Sequence, residues 1–357
     1  MTLSSTLVRR AGVVTVALGL AMGATAAPTL AKPAKDKTVD CIDYGSVAKA
    51  PKGAVPRDDQ HVVKHDPLKI EAAKAARASN GKVSAAAVIP TEPDPAFDVE
   101  VPVRFHEIIK TQGNGGGDLS DARLQAQVDA LNLGYGGTGF TFVYDKAGST
   151  ETVQPEWFNL VSNGAEVSYF RGGGKEVAMK KTLSSQDSSV LDVYTASLGQ
   201  SLLGWAWFPS DFTDATSSEY GPLHRYFDGV VIDFRTVPAV QEDPSAGDQR
   251  VYPEGTYERG DTLTHEVGHW LELYHTFQGG CAGVGGDKGD MIADTPAEAS
   301  PNFLCPEPGD EPRDTCLDDP GFDPVNNYMD YSFDSCLTEF TPEQAARMQF
   351  AWDTYRG

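Results

Sequence analysis

His265-Glu266-Val267-Gly268-His269-Trp270-Leu271-Glu272-Leu273-Tyr274-His275 is the stretch that decides how the rest of this chain is read. On a helix, positions i and i+4 lie one above the other, so His265 and His269 can grip one ion together. Glu266 is adjacent in sequence and reaches a water on that ion without ligating it. His275 supplies a third nitrogen and leaves one coordination position open, as catalytic zinc requires. Zinc brings the pKa of water in that position down to roughly 7. Glu266 would accept the proton as the water attacks a peptide carbonyl, then pass it to the leaving amine. Two alternatives stay open: a zinc site without catalysis, and a third ligand drawn from a distant glutamate instead of His275.

Working outward, 357 residues are enough for a sizeable core. The formal charge of -22 excludes nucleic acid and anionic membrane as natural partners, since both call for a basic surface. The charge is uneven. Residues 32–82 hold 11 Lys and Arg against 7 Asp and Glu, whereas residues 83–357 hold 16 against 44. At the N-terminus, Arg9 and Arg10 precede a short apolar run and the small residues Ala24-Thr25-Ala26. This predicts a signal peptide over residues 1–26 and a secreted, extracellular protein without a membrane anchor. Five cysteines follow. An exported protein is expected to join Cys281, Cys305, Cys316 and Cys336 into two disulfides, by any of three pairings. Cys41 is left over. In a zinc enzyme its thiolate offers a fourth ligand that keeps water out until its segment is removed.

Residues 27–97 read as a pro-segment and linker, poor in aromatics, with helical character only from Leu68 to Arg77 and three prolines between Pro90 and Pro95. Residues 98–357 form the catalytic body. Strands are predicted at Val99–Phe105, Phe140–Tyr144, Val167–Phe170, Val190–Thr195, Leu202–Phe208 and Val230–Phe234. Helices are predicted after Ser120, with Leu124, Val128 and Leu131 on one face, at Lys175–Leu183, from Asp261, and after Thr341-Pro342. Gly, Pro and Asp dominate from about Tyr274 to Pro324. The fold class is α/β with a loop-rich, disulfide-tied C-terminal part. Leu202–Phe208 is a candidate edge strand for an extended substrate, with burial of Trp205 and Trp207 in the core as the other reading.

His265 to Gly280, Asp294-Thr295-Pro296, Asn327-Tyr328-Met329-Asp330-Tyr331 and Phe340 to Met348 together resemble the pappalysin branch of the metzincin zinc metallopeptidases, specifically its bacterial cytophagalysin-like members. The resemblance covers residues 98 to the end. It implies a twisted mixed, mostly parallel sheet with backing and active-site helices, above an irregular subdomain. It further implies a secreted zinc endopeptidase made as a latent proenzyme, acting on proteins or peptides and inhibited by its own pro-segment. Met329 would form the Met-turn beneath the zinc, and Tyr331 would bond the developing oxyanion. The family pattern implies disulfides Cys281–Cys316 and Cys305–Cys336, and calcium at Asp290, Asp294 and Thr295. Asp334 is a candidate for the S1′ pocket, favouring a basic side chain. One departure stands out: the family's helix-ending glycine is Glu272 here, at a position where a Cβ costs about 1 kcal/mol or more if left-handed.

Overall fold

Eleven residues, Val99–Ile109, form strand β1, the longest of the sheet. Val101, Val103 and Phe105 point into the core, and from Phe105 to Ile109 every residue is buried. Burial on both faces is the mark of a parallel sheet covered by helices. The computed structural model describes residues 66, 68, 69, 71, 89–112, 116–160, 174–198, 203–212, 225–240, 256–281 and 289–357. The signal peptide, Cys41 and the expected strand at Val167–Phe170 lie outside the described residues. So does most of residues 27–88, although Leu68, Lys69 and Glu71 are helical as expected.

The first half of β1 pairs in parallel with β2 (Phe140–Tyr144). Its second half pairs with β3 (Thr150–Val153) on one side and β4 (Leu191–Ala196) on the other. Beyond β4 come β6 (Val230–Asp233), parallel, and β5 (Gly204–Ala206), antiparallel at the edge. The sheet is therefore mixed, within an α/β fold. β3 carries no hydrophobic alternation in Thr150-Glu151-Thr152-Val153, and three of its four side chains are exposed. Backbone pairing and one side-chain bond, His106 Nδ1 to Thr150 Oγ1 at 2.9 Å, join it to β1, so an apolar pattern does not announce it.

Helix α1 (Asp121–Gly134) lays Leu124, Val128 and Leu131 on the sheet, and the Ser120 hydroxyl accepts the N–H of Arg123 at its start. It backs helix α3 (Asp261–Trp270), which carries the first two histidines. Tyr135, just past α1, donates its hydroxyl to Thr264 O at 3.0 Å, and Gln127 donates to Gly260 O at 2.9 Å. Helix α2 (Lys175–Leu183), which precedes α3 in the chain, fixes the edge strand. Its Glu176 Oε1 accepts the indole N–H groups of Trp205 and Trp207 at 3.2 and 3.1 Å and pairs with Lys180 at 3.2 Å. All four side chains are buried, so the core reading of the two tryptophans is the one realised. Within the expected Leu202–Phe208 strand the described residues form a strand at Gly204–Ala206, and Pro209–Phe212 then turns as a 3-10 helix.

Between α3 and helix α4 (Pro342–Tyr355) the described residues are irregular. Disulfides join Cys281 to Cys316 and Cys305 to Cys336. Thr341 opens α4 with a capping box, its hydroxyl accepting Gln344 N while Gln344 Oε1 accepts Thr341 N. Such a cap stabilises by about 1 kcal/mol. The proline-rich stretch ahead of β1 is coil, and it is tied down: Gln349 of α4 accepts the N–H of Asp94 at 2.7 Å. No helix among the described residues is long and apolar enough to cross a membrane.

Candidate active site

α3 buries every residue from Thr262 to Trp270. His265 and His269, one turn apart, are 2 % and 0 % exposed, and His275 is 0 % exposed. Each helical histidine is oriented through its other ring nitrogen. His265 Nδ1 donates to Tyr328 O and His269 Nδ1 to Leu273 O, both at 2.7 Å. These bonds fix the tautomer, so each Nε2 lone pair points inward. His269 Nε2 lies 3.1 Å from His265 Nε2 and 3.2 Å from His275 Nε2. Burial, and then the neighbouring histidines, push the pKa of both His265 and His275 well below the usual imidazole value. Three neutral imidazoles with converging lone pairs form a set that fits zinc, and among the described residues they are the one group of metal-ligating side chains. His275, and not a distant glutamate, is the third nitrogen that the fold brings in.

The bend between His269 and His275 resolves the sequence departure. Glu272 is left-handed at φ 72°, so the backbone turns where the family's glycine would turn it. Glu272 N donates to His269 O and Leu273 N to Gly268 O, both at 2.9 Å, closing the helix. Two further bonds offset the strain. Arg347 Nε donates to Glu272 O at 2.9 Å, and Glu272 Oε2 accepts Ser210 N at 3.1 Å. Burial raises the Glu272 carboxyl to about 7. Nearby, Arg356 Nε donates to Trp270 O at 3.0 Å while its guanidinium pairs with Asp228 and stacks on the Trp270 ring. Two arginines at or after α4 thus hold the end of the metal-binding helix.

Met329 is fully buried, and a Cβ on Gly268 would meet its sulfur at 2.4 Å. The helix therefore needs glycine there for the methionine to pack against it. Asn327 Oδ1 accepts Met329 N at 2.9 Å, and Asn327 exchanges side-chain hydrogen bonds with Gln344, which ties this turn to α4. The Tyr331 ring stands 4.9 Å from that of His275 and 5.7 Å from that of His265. Glu266 is buried, and its side chain lies against Gly204 of the edge strand. A pocket beside His265 is lined by Leu203, Asp261, Asp330, Tyr331 and Asp334. Asp334 accepts Arg259 N at 2.7 Å. Burial pushes the Asp261 carboxyl up to about 7, and burial with the charge of Asp261 pushes Asp334 well above its usual value.

The expected calcium residues make hydrogen bonds within the protein. Asp290 accepts Ile292 N at 3.1 Å and the Thr295 hydroxyl at 2.7 Å, and Asp294 accepts Glu343 N at 2.9 Å in the first turn of α4. These bonds join two of the three expected residues to each other and the third to α4. The residues that sequence reading missed are the carbonyls of Tyr328 and Leu273, the glycines at 204 and 268, and the two arginines. Carbonyls carry no sequence signature, and the others act across long stretches of chain.

Fold and site together define a metzincin-type zinc metalloendopeptidase. A family model described as "Pregnancy-associated plasma protein-A" matches residues 251–353. Proteins named extracellular metalloprotease from Colletotrichum graminicola and Verticillium alfalfae are 36% and 39% identical over 261 and 259 residues. These alignments cover 73% and 72% of this chain, and 79% and 77% of the relatives. The chain belongs to the pappalysin family of metallopeptidases. Among solved structures, mirolysin in complex with compound 9 is 26% identical with a TM-score of 0.53, covering 74% of this chain and 94% of that one. A promirolysin mutant from Tannerella forsythia, 24% identical with a TM-score of 0.51 over 84% of this chain and 92% of its own, shares the fold.

Proposed function

We propose that this protein is a secreted endopeptidase that hydrolyses peptide bonds in proteins or peptides with Glu266 as general base. The observation that carries this reading is the convergence of three Nε2 atoms at 3.1 to 3.2 Å from His269, next to a buried glutamate. His265, His269 and His275 would hold zinc. When bound, the ion supplies Lewis acidity and an open position in which water reaches a pKa of roughly 7. Glu266 would take a proton from the attacking water and deliver it to the departing amine. Tyr331, packed on His275, donates its hydroxyl toward the carbonyl oxygen as charge develops. An extended substrate lies along β5, the last strand of the sheet, whose outer edge borders the site. Asp334 in the neighbouring pocket, with Asp261 beside it, would favour a basic side chain on the leaving side, giving up its proton as that positive charge enters.

Residues 1–26 are assigned as signal peptide, and the region 27–97 as the source of latency, with Cys41 as fourth zinc ligand in the precursor. A promirolysin mutant shares the fold, which supports a precursor stage. Cys41→Ala is expected to give activity without processing, measured as peptide cleavage by the unprocessed chain; a variant as silent as its parent would remove the thiol from the account.

The test of the main reading is metal removal. The purified secreted protein should carry about one zinc per chain and cleave casein. A chelator should abolish cleavage, and added zinc should restore it. Sequencing the products reads the basic preference from the same digest. Cleavage that survives complete zinc removal rejects the reading.

A further inference from the structure

Arg347 is buried to 1 % exposure, and a guanidinium cannot shed its charge in a protein. It therefore needs a carboxylate. The one that pairs with it is Asp66, also 1 % exposed, which accepts Nη1 at 2.8 Å and Nη2 at 3.1 Å in a two-pronged pair. The third donor, Nε, is the one bonded to Glu272 O. Glu272 has its own carboxylate turned to Ser210 N. Asp66 also accepts Leu68 N at 3.1 Å, and Leu68 is fully buried against Ala351 and Tyr355 of α4. A residue far upstream of β1 is thus the counterion of the arginine that grips the left-handed bend leading to His275.

This juxtaposition conflicts with shedding the whole of residues 27–97. Loss of Asp66 would take from Arg347 the carboxylate paired with it where it grips the carbonyl of Glu272, and breaking a buried pair by removing one partner is strongly unfavourable. We propose that Asp66 is a positioning residue of the working enzyme, acting through Arg347 on the bend that presents His275. The part of the N-terminal region that carries Asp66 stays with the enzyme after activation, in the continuous chain or as a fragment held by this pair. Cys41 lies on the dispensable side. The inference rests on the zinc reading above.

The test is made on the full chain and the secreted active form. Asp66→Asn removes the charge and keeps the shape. Its expected effect is about 10-fold weaker zinc binding, the scale seen when the partner of a metal ligand's support is removed, read by competition with a chromogenic chelator. Melting temperatures with and without zinc separate the roles. A merely structural Asp66 would lower both equally and leave the zinc-dependent increment unchanged, which overturns the proposal; a positioning Asp66 shrinks that increment. If Asp66→Asn does not fold, Asp66→Leu with Arg347→Met removes both charges in a shape-matched way. That pair should fold and still bind zinc more weakly, and wild-type affinity there overturns the proposal. Native and denaturing mass spectra of the active secreted form should both account for residue 66. Full activity in a zinc-loaded enzyme lacking it sinks the idea. Wild type without zinc would instead refute the underlying site reading, leaving the two failures distinct.

Discussion

Glu266→Gln is expected to keep its zinc and its melting temperature while kcat/KM for a peptide substrate falls by about 10²- to 10⁴-fold, the usual range for losing a general acid–base group. The substitution is close to isosteric, which matters because Glu266 is fully buried and packed against Gly204. An amide of the same shape preserves that packing but has no affinity for the proton released by the attacking water. His265 and His269 are oriented by Tyr328 O and Leu273 O, bonds that the substitution leaves in place, so metal content should be retained. The loss should fall mainly on kcat, since proton transfer belongs to the transition state and not to substrate docking. Zinc stoichiometry, a melting curve and steady-state kinetics on one preparation suffice. A glutamine variant within tenfold of wild type would mean that another group accepts the proton, and the catalytic assignment would have to move. A variant that binds zinc and cleaves nothing, matched by an equally inactive wild type, would leave only a silent zinc protein.

Much of this site is legible in the sequence because its ligands sit close together. His265, Glu266 and His269 share one helical turn, and His275 follows six residues after His269, so local geometry alone nearly builds the metal-binding set. The alternation of Val99, Val101, Val103 and Phe105 likewise declares β1, and Thr341-Pro342 declares the start of α4. The unread parts are of two kinds. Some are backbone acceptors, such as Tyr328 O and Leu273 O, which any residue would provide. Others are pairings across the chain: Asp66 and Arg347 are 281 residues apart, and Arg356 reaches Asp228 from 128 residues away. Glu272 lies between these cases. The sequence marks it as a residue with a Cβ where a left-handed turn is needed, at a cost of about 1–2 kcal/mol. Only the fold supplies the bonds from Arg347 and Ser210 that hold it there. β3 remains hidden for a related reason, since Thr150-Glu151-Thr152-Val153 shows no apolar alternation; β5, by contrast, falls inside the expected Leu202–Phe208 strand and opens on a glycine, Gly204.

That glycine has a role of its own, and Gly204→Ala is expected to lower kcat/KM by about 100-fold, the scale of a roughly 1 Å misplacement in a catalytic group. A Cβ at position 204 would stand 2.9 Å from Val231 O and 3.0 Å from both Cγ and Oε1 of Glu266. Glycine within a strand often marks close approach of another group, and here the approaching group is the general base. Of the two neighbours, Val231 O belongs to β6, an interior strand paired on both sides, and has little freedom to retreat. The Glu266 side chain is the softer partner, so the added methyl should displace the carboxylate. Overpacking of this kind typically costs 1–3 kcal/mol, roughly, and the melting temperature should fall modestly. Zinc binding should hold, because a Cβ at this position meets no imidazole among its nearest neighbours. The informative combination is therefore normal zinc content with impaired turnover. Should Gly204→Ala turn over like wild type, the edge strand would not constrain Glu266, and the glutamate's position would have to be set from within α3. If instead turnover and zinc are lost together, the methyl has disturbed the helix as a whole, and Gly204 supports folding of the site without selectively placing its base.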